Sequence, residues 1–432
     1  MKDIAQRAFR RTLASIDIPQ ALERSLARSG SRIQAGDAEI DLRQFDSLLA
    51  IAYGKASFAM ADGLSQVLAP EFPVDGILVV PSAPPHELER WRVFVGGHPL
   101  PNAGSFAAGR AILDRLGRAD ERTLIFFLIS GGGSALVEQP LDPAVSLHDF
   151  QELNQVLVTC GAPIDEINAV RKHLSATKGG RLAAAAPRSV KLTFAISDVP
   201  QGQESALASG PTLPDPTTVA DVERIARAYR LAEKLPSPLR SVLERHALRE
   251  TPKPGEEAFA YSHFTLLLGV HDLFHAAHHA CGEEGCVCIC DNTTDNWPLE
   301  KAADYLLAEL EAHKAANPGH RVAVIADGEL SSPVTGNGVG GRNSAFVLAC
   351  VPKIAGRGIA VLSAGTDGID GNSPAAGAVA DGESLARAHS AGMDPDDFMR
   401  RSDAYNFFAR LNDAIVTGTT GNNLRDLRIL TA

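Results

Sequence analysis

The sequence predicts an α/β protein made of two α/β domains with mainly parallel sheets, the N-terminal one Rossmann-like. Three observations carry that expectation. A chain of 432 residues is too long for one ordinary domain. Its strand candidates are continuous apolar runs, the pattern of strands covered on both faces. Those runs alternate with segments of helical period, which favours parallel crossover units.

The elements follow in order. The opening stretch MKDIAQRAFRRTLASIDIP has the period of an amphipathic helix and lacks the apolar core of a secretory leader. SLLAIAY predicts a strand, and GKASFAMADGLSQVL a loop and a helix. GILVV, WRVFV and TLIFFLIS are further buried strands, with FAAGRAILDRL a helix between the last two. INAVRKHLSATKGGRLAAAA has the period of one long helix with an awkward Gly-Gly near its end, and VKLTFAIS is the next strand. LRETPKPGEEAF is charged, carries two prolines and makes a linker, so the domains are expected at 1–250 and 251–432. After it come FTLLLGV (strand), HDLFHAAHHACG (helix), CVCIC (strand), PLEKAADYLLAELEAHK (helix), RVAVIA (strand), RNSAFVLACV (helix) and GIAVLSAG (strand). The last helices of this second domain have room to pack back on the first.

Composition bounds the partners. Lys plus Arg number 41 against 52 Asp plus Glu, a net charge of −11. An acidic chain without a basic run is a poor ligand for nucleic acid or anionic membranes. The longest apolar runs, such as LIFFLI, are far too short to span a bilayer. Six cysteines without scaffold density favour a reducing, cytoplasmic setting. The oligomeric state stays open, a homodimer included.

Chemistry is expected where glycine loops join a strand's end to a helix's start, because free N–H groups and the helix dipole favour an anion there. Gly336, Gly338 and Gly341 in GNGVGGRNSAF have the G-x-G-x-x-G spacing of a dinucleotide loop. With Gly340 and the adjacent Arg342 they equally suit a mononucleotide phosphate cradle. ISGGGSAL offers Ser130, Gly131, Gly132, Gly133 and Ser134 after a strong strand. Lys55 stands at the same kind of junction, as a point charge for phosphate. Asp198 in SDVP, and Asp367 and Asp370 in GTDGIDG, end strands; each suits a metal, a proton or a turn. The crowd of His271, His275, His278, His279, Cys281, Cys286, Cys288 and Cys290 fits no paired zinc spacing, so packing is expected instead.

Together the motifs form an ordered series. It runs through Gly54-Lys55-Ala56, GGHPLP at 96–101, SGGGSAL at 130–136 and NAVRKHLSATKGGRLA at 168–183. SDV at 197–199 and SGPT at 209–212 follow, then GNGVGGRN at 336–343, GTDGIDG at 365–371, AAGAV at 375–379 and TGTTGNN at 417–423. In this order the chain resembles the class II glycerate 2-kinases, whose C-terminal half is a MOFRL-type domain. The resemblance implies transfer of the γ-phosphoryl group of ATP to the 2-hydroxyl of D-glycerate with Mg²⁺, in a cleft between two domains. It implies catalytic roles for Lys55, Arg342, Asp198 and Asp367, with Asp198 and Asp367 also as Mg²⁺ ligands. ATP is implied to lie against Ser130, Gly131, Gly132, Gly133, Ser134, Lys172, Gly336, Gly338, Gly340 and Gly341.

Three segments depart from the family's pattern. After S-D-V the family commonly has Pro or Val, then Gly-Asp; here the order is PQGQ, with Gln203 where an acid is usual. After G-G-R-N it commonly continues Gln-Glu, and this chain has Ser344-Ala345. The usual G-E-x-T-V is replaced by DGELSSPVTG. These departures keep two alternatives in view: a nicotinamide-dependent hydroxypyruvate reductase, and a repurposed relative that binds another small hydroxy acid.

Overall fold

The computed structural model describes residues 1–199 and 202–432. They form two compact units, one of Ile18–Leu267 and one of Met1–Asp17 with Leu268–Ala432.

The first unit opens with a small antiparallel sheet of β1 (Leu26–Ser29), β2 (Arg32–Ala35) and β3 (Ala38–Asp41). Its main sheet contains β4 (Ser47–Tyr53), β5 (Asp75–Val80), β6 (Trp91–Val95), β7 (Thr123–Ser130), β8 (Val190–Ile196) and β9 (Ser262–Leu268). The strand order is β6-β5-β4-β7-β8-β9. The pairs β4–β5, β4–β7, β5–β6 and β7–β8 are all parallel, as the uninterrupted apolar runs predict. Every residue of β7 is buried, and Phe126 and Phe127 are fully so. Burial of each such ring is worth roughly 1.5–3 kcal/mol, so the sheet's centre is rigid. The chain proceeds from β4 to β5 and β6 on one side, then returns to β7 and β8 on the other. The direction of winding therefore reverses between β4 and β7, and open α/β sheets hold ligands at the carboxyl ends beside such a reversal.

Helices Leu147–Thr159, Ile164–Leu174, Val219–Ala228 and Ser237–Glu244 build a separate apolar cluster in the same unit around Phe150, Leu153, Val170, Val222 and Leu239. The single long helix expected over INAVRKHLSATKGGRLAAAA is instead two, Ile164–Leu174 and Arg181–Ala184. Gly179 and Gly180 both take positive φ, 57° and 80°, a conformation that no α-helix contains.

The second unit has a sheet of order β10-β11-β15-β12-β13-β14, with β10 (Cys286–Asp291), β11 (Arg321–Asp327), β12 (Ala360–Gly365), β13 (Gly377–Asp381), β14 (Ala414–Ile415) and β15 (Asp426–Thr431). The expectation of a mainly parallel sheet is wrong here. Only β10–β11 is parallel; β11–β15, β12–β15, β12–β13 and β13–β14 are antiparallel. No crossover helix separates β12 from β13, so the chain simply turns back. β15, near the chain's end, then fills the slot between β11 and β12.

The boundary expected after residue 250 also moves. LRETPKPGEEAF is stitched into the first unit: Thr251 is buried and donates to the Asp215 carboxylate at 3.0 Å. At the other end, helix Lys2–Ser15 belongs to the second unit, where it packs on helix Val270–Glu283. It buries Ile4, Ala5, Ala8 and Phe9, and Arg7 pairs with Glu284 at 2.7 Å. It is thus the first helix that joins the far half of the chain, and the last helices remain in their own unit.

Candidate functional site

The winding reversal in the first unit gathers three loops. β4 leads into Gly54-Lys55, and β7 into Gly131. The N–H of Lys55 donates to the Gly131 carbonyl at 3.0 Å, and the N–H of Ala56 to Ser130 Oγ at 2.9 Å. Gly54 makes this approach possible. It has φ 123°, and a Cβ there would stand 2.5 Å from the Ser130 carbonyl oxygen. Gly132 has φ 81°, and a Cβ built on it would touch Lys55 Cγ and His98 Cδ2, each at 3.3 Å. Lys55, His98 and the glycine loop are therefore immediate neighbours. The loop after β6 is set by Ser105, whose Oγ accepts from the N–H of Gly97 at 2.9 Å and from that of Asn102 at 3.1 Å.

Gly133 starts the short helix Gly133–Leu136, so the first N–H groups point out of its end without intrahelical partners. Among the described residues no acceptor meets the N–H of Gly132, Gly133 or Ser134. Ser134 Oγ lies 2.9 Å from Ser209 Oγ. Ala208 and Ser209 hold left-handed backbone, φ 49° and 62°, a conformation costing of order 1–3 kcal/mol per residue that persists only where the surroundings impose it. Asp198 follows β8 in the same sheet and is half-buried. Ser130, Gly131, Gly132, Gly133 and Ser134 thus stand beside Lys55.

The other glycine loop is a different object. Asp370 is 2% exposed, and its carboxylate accepts from the N–H of Gly341 (3.1 Å), Asn343 (2.9 Å) and Ser344 (2.9 Å) and from Ser344 Oγ (2.6 Å). It occupies the N-terminus of helix Arg342–Ile354, the position an external anion would need. The other glycine N–H groups are also engaged, Gly336 with Ser402 Oγ, Gly338 with the Arg401 carbonyl and Gly340 with Asn372, as is that of Val339 with Asp403. A Cβ on Gly336 or Gly338 would stand 2.4 or 2.6 Å from the Arg401 carbonyl oxygen, and one on Gly341 2.3 Å from Asp370 Oδ1. This corrects the expectation that Gly336, Gly338, Gly340 and Gly341 cradle phosphates. These glycines let the loop pack against residues 370–371 and 400–403. Ser344 is part of the cap.

Arg342 is held between two acids. Its Nε donates to Asp426, and its Nη2 lies 2.8 Å from Glu329. Burial opposes the charge, but Asp426 and then Glu329 outweigh it and raise the guanidinium's pKa. A second clamp lies in the same unit: Arg425, just before β15, bridges Asp295 at 2.6 Å and Asp327, the last residue of β11, at 3.1 Å. Burial nevertheless pushes the Asp327 carboxyl upward. Asp367 sits in the turn after β12, where it accepts from the N–H of Ile369 at 3.0 Å.

Lys172 is not presented to a ligand. It is 6% exposed and its ammonium pairs with Asp215 at 3.1 Å, which corrects its assignment to nucleotide binding. His271, His275, His278, His279 and Cys281 lie on helix Val270–Glu283, and Cys286, Cys288 and Cys290 on β10. Gln203 is exposed, and next to it Glu204 accepts from the N–H of Gly202 at 2.8 Å; Pro200 and Gln201 of that segment lie outside the described residues. Sequence reasoning missed His98, although GGHPLP carried it. It also missed Glu329, Asp426 and the Asp295–Arg425–Asp327 clamp, which depend on β15, a strand it did not recognise.

Residues 4–244 match a family described as a domain of unknown function, DUF4147, and residues 322–426 match the MOFRL family. A D-glycerate 2-kinase of Thermotoga maritima is 31% identical over 387 residues, covering 89% of this chain and 90% of that protein. A glycerate 2-kinase of Pyrococcus horikoshii is 30% identical over 432 residues, covering 99% and 97%. An Agrobacterium vitis protein provisionally named a hydroxypyruvate reductase is 36% identical over 385 residues, covering 88% and 86%. The crystal structure of a glycerate kinase from Thermotoga maritima superposes with a TM-score of 0.83 at 28% identity, covering 99% of this chain and 98% of that one.

Proposed function

Because the chain belongs to the family that joins a DUF4147 domain to a MOFRL domain, we propose that it is a glycerate kinase, moving the γ-phosphoryl group of ATP to the 2-hydroxyl of D-glycerate. The observation that carries this reading is the junction at the winding reversal. There Lys55 is fixed to Gly131 beside a loop whose N–H groups at Gly132, Gly133 and Ser134 have no protein acceptor among the described residues. Phosphoryl transfer is largely positioning and neutralisation of negative charge. Outward N–H groups donate to phosphate oxygens, and the Lys55 ammonium offsets charge that builds on them. His98 borders the same loop and is a donor for a phosphate or carboxylate oxygen.

Arg342 supplies the planar fork suited to the glycerate carboxylate, and its two acids keep the guanidinium oriented. Asp198 is the candidate to receive the acceptor's hydroxyl proton or to bind Mg²⁺, and Asp367 is a second candidate for either role. The donor set suits Mg²⁺ that arrives on ATP. Among the described residues no three His, Cys, Asp or Glu side chains are gathered to hold a metal alone, and Mg²⁺ on nucleotides needs only one or two carboxylates. Bound there, it would neutralise the phosphate oxygens. The reductase alternative loses its main support, since the N–H groups of its fingerprint glycines, Gly336, Gly338 and Gly341, are engaged within the protein.

The test is ADP release from ATP and Mg²⁺ over a panel of short hydroxy acids, beside NADH oxidation with hydroxypyruvate. ADP release that depends on D-glycerate is expected. NADH oxidation without ADP release would overturn the proposal.

A further inference from the structure

Helix Ile164–Leu174 carries two polar side chains that meet no partner in the chain. Asn168 is 8% exposed, and its amide has no hydrogen bond among the described residues. Arg171 is half-buried, and its Nε is buried without a hydrogen-bond partner. The acid that acts on it is Glu138, whose oxygens are already taken by Lys178, Ser175 and the N–H of Gln139. Burial outweighs that attraction and pulls the guanidinium's pKa down. Both groups cost free energy unless an acceptor from outside the chain meets them. The Asn168 amide and the terminal nitrogens of Arg171 are not sealed from solvent, so a ligand can reach them.

The face that carries them is turned toward Ser134. Asn168, Arg171 and Lys172 span about 100° of the helix at 3.6 residues per turn. On that face, a Cβ built on Gly179 would stand 3.2 Å from Lys172 Cβ. The N–H of Gly179 donates to the Ser209 carbonyl at 3.0 Å. The helix packs on the segment Glu204–Ser209, and Ser209 Oγ lies 2.9 Å from Ser134 Oγ. From the other side, Arg171 is within electrostatic reach of Glu138 and Lys178. Lys178 Nζ donates to the carbonyl of Val137, which closes the helix begun at Gly133, at 3.3 Å. Arg171 is thus bracketed by Ser209, which touches Ser134, and by Glu138, one turn of chain beyond it.

We propose that Arg171 and Asn168 bind phosphate: at the Ser134 end of the glycine loop they take oxygens of the nucleotide's phosphate chain, as Lys55 does at the Gly132 end. The proposal rests on the kinase reading and adds two ligands to it. Arg171 offers a planar fork that matches phosphate oxygens, and the Asn168 NH₂ donates beside it. The phosphate brings the counter-charge that no side chain gives Arg171.

Calorimetric titration of the full chain with MgATP tests this, beside KM for D-glycerate and a control melt. Arg171→Met should weaken MgATP at least about tenfold, the effect of a lost charge-assisted bond. It should leave KM for D-glycerate unchanged and hold or raise Tm, because it strands no partner. Arg171→Lys keeps the charge without the fork and should recover only part of the affinity. Asn168→Asp places a carboxylate one turn before Arg171 and should weaken MgATP as well, with Tm held. Wild type that binds no MgATP would sink the kinase reading and this proposal together. Wild type that binds MgATP, with Arg171→Met binding it equally well, overturns this proposal alone. So does a fall in Tm with the ATP affinity of the folded protein preserved, which makes the pair structural. A rise confined to KM for D-glycerate also overturns it, by giving the pair to the acceptor.

Discussion

Asp370→Asn separates the two glycine loops. The native carboxylate takes four hydrogen bonds at the N-terminus of helix Arg342–Ile354: Oδ1 from the N–H of Asn343, and Oδ2 from the N–H groups of Gly341 and Ser344 and from Ser344 Oγ. Asparagine offers one acceptor and one donor. With its oxygen at the Oδ2 position, its NH₂ faces the N–H of Asn343; flipped, it faces three donors. At best one buried donor is left unmet, at roughly 1–3 kcal/mol. Loss of the negative charge at the helix terminus adds roughly 0.3–1 kcal/mol, and the three remaining bonds lose their charge assistance. The expected destabilisation is about 2–5 kcal/mol in urea unfolding monitored by circular dichroism. ATP affinity, measured calorimetrically where the variant is still folded, should change by less than about threefold, under 0.7 kcal/mol. A variant as stable as wild type that loses ATP binding would refute the reasoning and return residues 336–341 to the nucleotide.

Three further outcomes follow from the same geometry. Lys172→Met leaves Asp215 buried and uncompensated, so it should destabilise by about 3–5 kcal/mol while the folded fraction keeps its ATP affinity; a stable variant with weakened ATP binding would restore Lys172 to the site. Burial opposes the ionisation of Asp215, but Lys172, Thr217 and Thr251 prevail and hold its pKa below the ordinary 3.8. A depressed folded pKa contributes stability above 3.8 that is lost as pH falls toward the lower folded value. Asp215→Asn should therefore flatten the acid limb of Tm against pH below about pH 5, and an unchanged limb would count against the pair. Arg342→Lys retains charge but loses the fork, so kcat/KM for glycerate should fall about tenfold or more, beside a control melt; equal values would remove Arg342 from the chemistry.

The parallel sheet was legible because its strands are buried on both faces: SLLAIAY and TLIFFLIS have no polar interruption and cannot be surface elements. The Lys55 and Ser130–Ser134 junctions were legible for the same reason, since strand ends locate loops. β13 and β15 were not. Gly377–Asp381 and Asp426–Thr431 are short, and the latter carries Arg428, fully buried in the structure, where it donates to the Asp327 and Gly328 carbonyls. A charged residue in a central strand defeats a reading based on hydrophobic pattern. The two glycine loops have equally persuasive spacing in sequence. What tells them apart is a carboxylate at residue 370 and a loop at 400–403, both brought in by tertiary packing.

The central claim is that Lys55, beside Gly131 and Gly132, serves phosphoryl transfer. Its direct measurement is kcat for D-glycerate-dependent ADP release by Lys55→Ala, paired with its Tm. Lys55 is half-buried at a loop and not in the sheet core, so Tm should stay within about 3 °C of wild type, the scale of a sub-1 kcal/mol change in a chain this long. Loss of an oriented charge at the transferring group should lower kcat by roughly 10²–10³-fold, as for other preorganised donors. A large fall in Tm with kcat per folded molecule preserved would contradict the account.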